Sequence, residues 1–308
     1  MNPTLIMLCG LPGSGKSTYA KSLQNEYVIH SSDDLREEMF GDVNENSADS
    51  NRKLFEELHK RIIRDLQDGK SVVYDATNIN RKRRMSFLKE IENISCIKKC
   101  VLFATPYRVC LGRNDFRKRK VPEDVIKRMY MSFQPPHKSE GWDEISIEFE
   151  VPDIMMPDYN MGILYNDASG IDYFNQCNSN HTLTLGLHSR KVAFRLEDTY
   201  PRNWEMQVAA LLHDVGKIHT MTCFNHSGKR DGECHYYGHE CVGAYESLFY
   251  TKNEGYTDEQ ILHVAALVYF HMMPYSWKDG KSEKIRKQIG DDLYYEILAL
   301  NEADRCAK

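Results

Sequence analysis

The nine residues Gly10-Leu11-Pro12-Gly13-Ser14-Gly15-Lys16-Ser17-Thr18 fit the pattern G-x-x-x-x-G-K-[ST]. The apolar run 4–9 before them predicts a buried strand, and the spacing of residues 17–24 predicts a helix. Glycines at such a turn let the backbone wrap around an anion, while the lysine reaches the β/γ-phosphates and the next hydroxyl binds Mg²⁺. The chain is therefore expected to bind ATP or another nucleoside triphosphate with Mg²⁺, through Gly13, Ser14, Gly15, Lys16, Ser17 and Thr18.

The composition is that of an ordinary globular protein. The 308 residues suit two domains, and 41% hydrophobic with 28% charged residues is typical of soluble chains. No apolar stretch approaches the roughly 20 residues of a membrane span, and the N-terminus lacks the basic region of a signal peptide. Nine cysteines without a C-x-x-C pair favour reduced thiols, and with them a cytoplasmic location and no membrane partner.

Charge is distributed unevenly between the two halves. Residues 1–150 contain 25 Lys+Arg and 23 Asp+Glu, a net charge of +2, whereas residues 151–308 contain 15 and 22, a net charge of −7. A dedicated nucleic-acid-binding protein is usually basic overall, so any such role must depend on local clusters.

Two acidic segments follow predicted strands of the first half. The predicted strand 27–31 ends at Ser31-Ser32-Asp33-Asp34-Leu35-Arg36, and the predicted strand 71–75 ends at Asp75. Parallel sheets place ligand sites at the carboxyl ends of their strands. The first segment is equally consistent with a helix N-cap by Ser32 or Asp33. Between them, the apolar spacing of residues 46–68 predicts a long amphipathic helix that packs on the core.

Two basic segments also lie in this half. Arg81 to Arg84 are four consecutive cations, a pattern more typical of a solvated helix face than of phosphate contact. Five of the eight residues from Arg113 to Lys120 are Lys or Arg, and Val121-Pro122 follows them. This segment is either a charged surface or a mobile lid that places cations on a transferring phosphoryl group.

In their order, these motifs resemble the kinase domain of phage-type polynucleotide kinases over roughly residues 3–135. The matching pieces are G-L-P-G-S-G-K-S-T, S-S-D-D-L-R, D-A-T-N and the R-N-x-x-R lid. The resemblance implies an α/β P-loop kinase domain, a parallel sheet flanked by helices, that phosphorylates a polynucleotide 5′-OH. It also implies roles for individual residues: Asp33 as general base, Arg36 and Asp75 at the acceptor site, and Arg113 and Arg117 on the nucleotide phosphates, with Lys16 and Arg117 acting in catalysis.

Beyond the predicted last strand at 145–151 the pattern becomes helical. The chain is expected to divide into a domain at 1–160 and a second at 161–308, with helices near 182–197, 203–213, 238–252, 257–272 and 290–306. His213-Asp214 directly follows an apolar run, and burying this pair is costly unless a bound cation compensates.

The pattern His188…His213-Asp214…Asp304 resembles the HD phosphohydrolase superfamily over about residues 181–308. The resemblance implies an all-α HD domain in which His188, His213, Asp214 and Asp304 hold a divalent metal. His239 and His271 fall where two-metal members have additional ligands, and Lys217 would neutralise the substrate phosphate. A ligand set of His and Asp without Cys suits a transition metal or Mn²⁺. His181, two helical turns before His188, is at most a supporting residue.

The leading hypothesis is a bifunctional nucleic-acid end-healing enzyme. One domain would phosphorylate the 5′-OH of an RNA or DNA end, the other would remove a 2′-, 3′- or 2′,3′-cyclic phosphate, and a nucleic-acid ligase is a suggested partner. The acidic second half favours an alternative, a small-nucleotide or metabolite kinase fused to a nucleotide phosphohydrolase. A nucleotide-sensing regulatory protein is the non-enzymatic alternative.

Overall fold

The computed structural model describes residues 2–45, 47–117, 119–152, 154, 158–166, 170–179, 181–277 and 281–307. The chain forms two compact units. The first comprises Met1–Met129 and Pro136–Val151, and the second comprises Tyr130–Pro135 and Pro152–Lys308. The short segment Tyr130–Pro135 thus belongs to the second unit although it lies within the sequence of the first. Among the described residues, no helix is both long and apolar enough to cross a membrane.

The first unit is built on a five-stranded, all-parallel sheet. Its strands lie in the order β2-β3-β1-β4-β5. They are β1 (Thr4–Cys9), β2 (Val28–Ser31), β3 (Val72–Asp75), β4 (Ile97–Ala104) and β5 (Glu144–Phe149). Because all five run the same way, their carboxyl ends meet at one edge of the sheet, which is where such sheets bind ligands. Asp75 lies there, in register with Leu8 of β1 and Ser31 of β2.

Helices connect the strands of this unit, as parallel pairing requires. They are α1 (Lys16–Ser22), α2 (Ser32–Phe40), α3 (Ala48–Gln67), α4 (Arg81–Glu90), α5 (Tyr107–Asn114) and α6 (Glu123–Tyr130), with a 3₁₀ helix at Lys138–Glu140. The predicted helix over residues 46–68 is α3, whose apolar stripe Leu54, Leu58 and Ile62 is buried; Asn46 lies outside the described residues. The predicted α/β P-loop fold is confirmed for this part of the chain.

The second unit is helical. Its helices are α7 (Met161–Asn166), α8 (Leu185–Thr199), α9 (Trp204–Leu212), α10 (Lys217–Thr220), α11 (His239–Asn253), α12 (Asp258–Phe270), α13 (Lys281–Ile289) and α14 (Asp291–Cys306), with 3₁₀ turns at Ile171–Tyr173 and Met273–Ser276. Helix α11 packs along α12, α9 packs against α8 and α12, and α14 packs against α8. The five predicted helices correspond to α8, α9, α11, α12 and α14.

Two features differ from the sequence-based expectations. The solvated face predicted for the run Arg81–Arg84 is wrong for Arg84, whose side chain is 0% exposed. Helix α13 was not predicted, because its residues 281–289 contain four lysines and arginines and only two isoleucines, a weak apolar stripe. The expected division at residue 160 remains a prediction about the two domains; in the structure, the compact units divide between Val151 and Pro152.

Candidate functional site

The glycine-rich segment forms a tight loop between β1 and α1. Gly13 and Gly15 have φ angles of 84° and 99°, which residues with a side chain rarely adopt. A Cβ atom on Gly13 would lie 2.5 Å from the carbonyl oxygen of Cys110, so only glycine fits there. The loop is anchored by a hydrogen bond from the Thr105 hydroxyl to the Ser14 carbonyl, 3.1 Å long. The predicted phosphate-binding residues are therefore brought together at the carboxyl edge of the sheet.

Lys16 is folded back into this loop. Its ammonium donates to the carbonyl oxygens of Gly10 and Leu11, at 3.0 and 2.7 Å, and to the hydroxyl of Ser14 at 3.3 Å. Burial lowers the pKa of Lys16, and the nearby Asp75 carboxylate opposes that shift. The ammonium thus occupies the concave side of the loop, the side on which a phosphate would be expected.

The carboxylate of Asp75 lies next to the ammonium of Lys16 and the hydroxyl of Ser17. Burial raises its pKa, whereas Lys16 and a hydrogen bond from Ser17 lower it. A buried carboxylate beside the hydroxyl of the G-K-[ST] motif is the arrangement that holds the magnesium ion in P-loop enzymes. The geometry thus suits Asp75 to the magnesium side of the site as well as to the predicted acceptor side.

Asp33 lies in the first turn of α2, at the end of β2. The cap of this helix is Ser31, whose hydroxyl accepts a hydrogen bond from the backbone N–H of Asp34 at 3.2 Å. The alternative that Ser32 or Asp33 caps the helix is therefore wrong. Its carboxylate instead accepts hydrogen bonds from Arg117, at 3.1 Å, and from Arg119. The expected general base is paired with two arginines of the expected lid.

Asn114, within the expected lid at 113–120, bonds to Val121 just beyond it. This buried amide donates to the carbonyl of Val121 at 2.8 Å and accepts from its N–H at 3.0 Å. Arg113 pairs with Glu150, a residue just beyond β5 that also adjoins Gly15 of the phosphate loop. Lys118 lies outside the described residues.

Arg36, expected at the acceptor site, is buried. Its guanidinium donates to the carbonyl of Glu45 and to the side-chain oxygen of Asn51, the latter at 2.8 Å. Burial and the neighbouring Arg119 lower its pKa. Its Nε is buried without a hydrogen-bond partner among the described residues. Arg36 thus connects α2 to the start of α3, and only its Nε is left for a further acceptor.

Sequence reasoning missed a buried ion pair behind the phosphate loop. Arg84 donates to both carboxylate oxygens of Glu140, each at 2.7 Å, and to the carbonyl of Asn78 at 2.9 Å. Asn78 has a φ of 45° and donates to the carbonyl of Leu8 in β1 at 2.9 Å. The pair therefore supports the turn after β3 that borders the phosphate loop. The four consecutive cations at the start of α4 do not predict that one of them is buried in an ion pair.

The second unit contains a cluster of buried histidines around one carboxylate. Oδ2 of Asp214 lies 3.8 Å from Nε2 of His188 and 3.3 Å from Nε2 of His213. Oδ1 of the same carboxylate lies 3.3 Å from Nε2 of His239 and 3.7 Å from Nε2 of His271. The ligand atoms of His188, His213 and Asp214 lie within 4.8 Å of one another, and so do those of Asp214, His239 and His271. Asp214 is thus shared by two potential metal sites.

Asp304 completes the cluster. Its Oδ1 lies 3.0 Å from Nε2 of His188 and 3.9 Å from Nε2 of His213, and its Oδ2 accepts a hydrogen bond from Tyr275 at 3.0 Å. All six residues expected from the sequence as metal ligands are thus brought together, from helices and loops far apart in the chain.

The orientation of the imidazoles fits a metal. Nδ1 of His213, His239 and His271 each faces the backbone carbonyl three residues earlier, at 2.7, 2.8 and 2.6 Å. A carbonyl only accepts, so Nδ1 carries the proton and the lone pair is on Nε2. The Nε2 atoms of these three histidines are buried without a hydrogen-bond partner among the described residues, and Nε2 of His188 lies 3.0 Å from Oδ1 of Asp304. Three buried lone pairs that face carboxylates are costly unless a cation accepts them.

Lys217 lies beside the histidine cluster, and its ammonium contacts three side chains of the protein. It donates to Oδ2 of Asp214 at 2.6 Å and to Oε1 of Gln176 at 2.8 Å, and lies 3.3 Å from Nε2 of His181. Burial would raise the pKa of Asp214, but Lys217 and His213 hold it well below its usual range. Burial and Lys217 lower the pKa of His181 to about 4, so that ring is neutral and accepts from the ammonium.

Gly216 explains how α11 reaches this cluster. A Cβ atom at Gly216 would lie 2.1 Å from the carbonyl oxygen of His239 and 2.6 Å from the backbone nitrogen of Gly243. Because glycine lacks that atom, the start of α11 packs directly on the turn after His213 and Asp214. The close approach places His239 against the shared carboxylate.

The comparisons with known proteins match the first unit. Residues 5–136 match the AAA domain family. The L-seryl-tRNA(Sec) kinase of Methanococcus maripaludis is 30% identical over 166 residues, which are 51% of this chain and 62% of that protein. The protein kti12 of Schizosaccharomyces pombe is 23% identical over 45% of this chain and 54% of that protein. The N-terminal part of the chain is therefore similar to P-loop domains of kinases, a class that uses ATP and typically Mg²⁺.

These matches are partial. The chain spans only a little more than half of the length of the curated relatives it matches. A chain in the solved structure of the Pnkp1/Rnl/Hen1 RNA repair complex is 23% identical over 41% of this chain and 42% of that chain, with a TM-score of 0.35. So low a score supports no argument, and the fold rests on the strand order described above. The HD assignment of the second unit remains a prediction.

Proposed function

We propose that this protein heals nucleic-acid ends. The first unit would transfer the γ-phosphate of ATP to a 5′-OH, and the second would hydrolyse a terminal 2′-, 3′- or 2′,3′-cyclic phosphate. The observation that supports the proposal is that one chain holds two groupings suited to phosphate chemistry. One is a glycine-rich loop whose Lys16 and Ser17 adjoin the Asp75 carboxylate, and the other is a buried cluster of four histidines and two aspartates.

In the kinase half, Asp33 would accept the proton of the attacking hydroxyl. It can do so only after Arg117 and Arg119 leave its carboxylate. The phosphates of ATP offer these arginines a stronger set of acceptors, and Lys16 would turn from the loop carbonyls to the same phosphates. Nucleotide binding would thus free the base and place the cations where negative charge develops. The relative named L-seryl-tRNA(Sec) kinase supports an acceptor hydroxyl carried by RNA.

In the hydrolase half, the cluster would hold one or two divalent transition-metal or Mn²⁺ ions between Asp214, Asp304 and the four histidines. A metal bound there supplies a nucleophilic water and polarises the phosphate. Lys217 would exchange its bond to Asp214 for one to a substrate oxygen, while Gln176 and His181 keep the ammonium in place.

The kinase proposal is tested with γ-labelled ATP and a 5′-OH oligonucleotide, in RNA and DNA forms, with free nucleosides as a separate arm. We expect label on the oligonucleotide, lost in Asp33→Asn by a factor of about 10² or more and kept in Asp34→Asn. Asp34 is the exposed neighbour of Asp33 in the same helix turn, and so a matched control. Label on nucleosides alone would contradict the proposal.

The hydrolase proposal is tested with oligonucleotides ending in a 3′-phosphate or a cyclic phosphate, in Mn²⁺, Ni²⁺, Co²⁺ or Zn²⁺. Asp214→Ala should abolish phosphate release while sparing the kinase, and the exposed Asp292→Ala should affect neither. If Asp33→Asn and Asp214→Ala each abolish both reactions, the assignment of one reaction to each unit is wrong. A final arm asks whether a 5′-OH, 3′-phosphate RNA becomes a substrate for a ligase after treatment.

One observation favours a second candidate, a kinase and phosphohydrolase of small nucleotides or metabolites. The net charge of −7 over residues 151–308 repels a long polyanion, except where metal ions offset it. The nucleoside arm of the kinase assay and a mononucleotide arm of the hydrolase assay distinguish the two candidates.

A further inference from the structure

Three of the nine cysteines meet in the second unit. Cys177, Cys223 and Cys234 are separated in sequence, yet Cys234 lies beside both of the others. The backbone N–H of Cys234 also donates to the carbonyl of Cys177 at 2.8 Å. Cys177 and Cys223 are exposed, whereas Cys234 is half-buried.

The backbone places Cys223 opposite Cys234. Thr222 and His235 form an antiparallel bridge in which each N–H donates to the other's carbonyl, at 2.9 and 2.8 Å. Cys223 and Cys234 are therefore the next residues that face each other, and they occupy the position of a non-hydrogen-bonded pair. Cα atoms in such pairs are about 4.5 Å apart, within the range that a disulfide spans.

The third cysteine lies in strained backbone beside the lysine of the histidine cluster. Cys177 has a φ of 46°, uncommon for a residue with a side chain. Its neighbour Gln176 accepts a hydrogen bond from Lys217 through its side chain and one from Tyr236 through its carbonyl. The Lys217 ammonium also lies 5.6 Å from the centroid of the Tyr236 ring. Cys177 and Cys234 therefore lie within two residues of Gln176 and Tyr236, two of the residues that contact Lys217.

We infer that Cys223 and Cys234 form a reversible disulfide on exposure to a peroxide, with Cys177 as the thiol that exchanges into it. The exposed Cys223 sulfur would attack hydrogen peroxide to give a sulfenic acid and one water. The Cys234 sulfur would then displace the second water and form the S–S bond. In sum, two thiols and one peroxide become one disulfide and two waters. Attack of Cys177 on the Cys234 sulfur would move the bond to 177–234 and return Cys223 as a thiol.

The test uses the full chain, treated with one equivalent of hydrogen peroxide and then digested with trypsin without reductant. Trypsin cuts after Lys229 and Arg230, so a 223–234 disulfide joins two peptides and lowers their summed mass by two hydrogens. We expect the thiols titrated in denaturant to fall from nine to seven and to return to nine with dithiothreitol.

Three variants complete the test. Cys306→Ser removes another exposed thiol and should leave the linked peptides intact. Cys223→Ser should yield the 177–234 link instead, because the exposed Cys177 sulfur then attacks the peroxide and Cys234 displaces the second water, and Cys234→Ser should yield neither link. The inference is overturned if these cysteines stay reduced while Cys306 is oxidised. It is also overturned if the purified protein holds a metal ion that is lost in Cys234→Ser but kept in His188→Ala. None of these measurements requires hydrolase activity, so they test the disulfide independently of the proposed function.

Discussion

Replacing Arg84 with methionine should destabilise the first unit more than any nearby surface change. Both side chains of the Arg84–Glu140 pair are 0% exposed, and the guanidinium donates three hydrogen bonds of 2.7–2.9 Å. After the substitution Glu140 keeps bonds from Trp142 and from the N–H of His137, both at 3.2 Å, and its longer ion pair with Arg81 at 3.8 Å, but it loses both bonds to the fully buried guanidinium. Breaking a buried pair in this way costs about 3–5 kcal/mol.

The expected shift is large enough to measure by urea denaturation. With a slope of about 3 kcal/mol/M for a unit of this size, the midpoint should fall by roughly 1–1.7 M. Trp142 is the reporter, because the other tryptophans, Trp204 and Trp277, lie in the second unit and can be replaced by phenylalanine. Arg83→Met is the matched control: Arg83 is the exposed neighbour in α4, and its loss should change stability by less than about 0.5 kcal/mol.

A double-mutant cycle separates the pair from the packing of its members. Because Arg84→Met/Glu140→Met removes both of the fully buried charges, it should be less destabilised than Arg84→Met alone. If the single variant costs less than about 1 kcal/mol, or if the double variant costs the sum of the two singles, the buried pair is not what holds the turn after β3.

Three further outcomes follow from local geometry. Gly13→Ala should weaken ATP binding about tenfold or more in calorimetry, because the added Cβ meets the Cys110 carbonyl at 2.5 Å and the backbone φ is unfavourable. Gly216→Ala should lower the metal content measured by mass spectrometry and destabilise the second unit by about 1–3 kcal/mol, because its Cβ would displace α11. Asn114→Ala should speed tryptic cleavage within residues 115–120 by about tenfold, since two hydrogen bonds that close the lid are lost.

The first of these variants has a matched control. Gly41 also has a positive φ but meets no atom within 4 Å, so Gly41→Ala separates the backbone strain of Gly13→Ala from its steric contact. An unchanged ATP affinity in Gly13→Ala, an unchanged metal content in Gly216→Ala, or equal cleavage rates in Asn114→Ala would each contradict the corresponding geometry.

Periodic and motif-rich parts of the chain could be predicted from the sequence. The buried run before the phosphate loop and the apolar stripe of α3 have a clear period, and the loop itself needs glycine at fixed positions. The six candidate metal ligands follow from the resemblance to the HD superfamily, and the structure brings all six together in one cluster. Their roles remain proposals.

The remainder depended on contacts between distant residues. Arg84 is one cation in a run of four, and only Glu140, 56 residues away, distinguishes it from a surface side chain. The same holds for Arg117 and Arg119 on Asp33, more than 80 residues apart in sequence. The cysteine cluster was missed because its members lack the short spacing of a C-x-x-C pair and are brought together by the bridge between Thr222 and His235.

The path of the chain between Met129 and Pro136 determines how the gene can be divided into fragments. Tyr130 and Phe133 lie edge-on against Tyr245, which is 0% exposed, so this short stretch forms part of the helical body. A fragment ending at Val151 would carry these two rings without their aromatic partner, and a fragment starting at Pro152 would leave that partner uncovered. No single cut yields both halves intact, which favours inheritance of the two as one polypeptide.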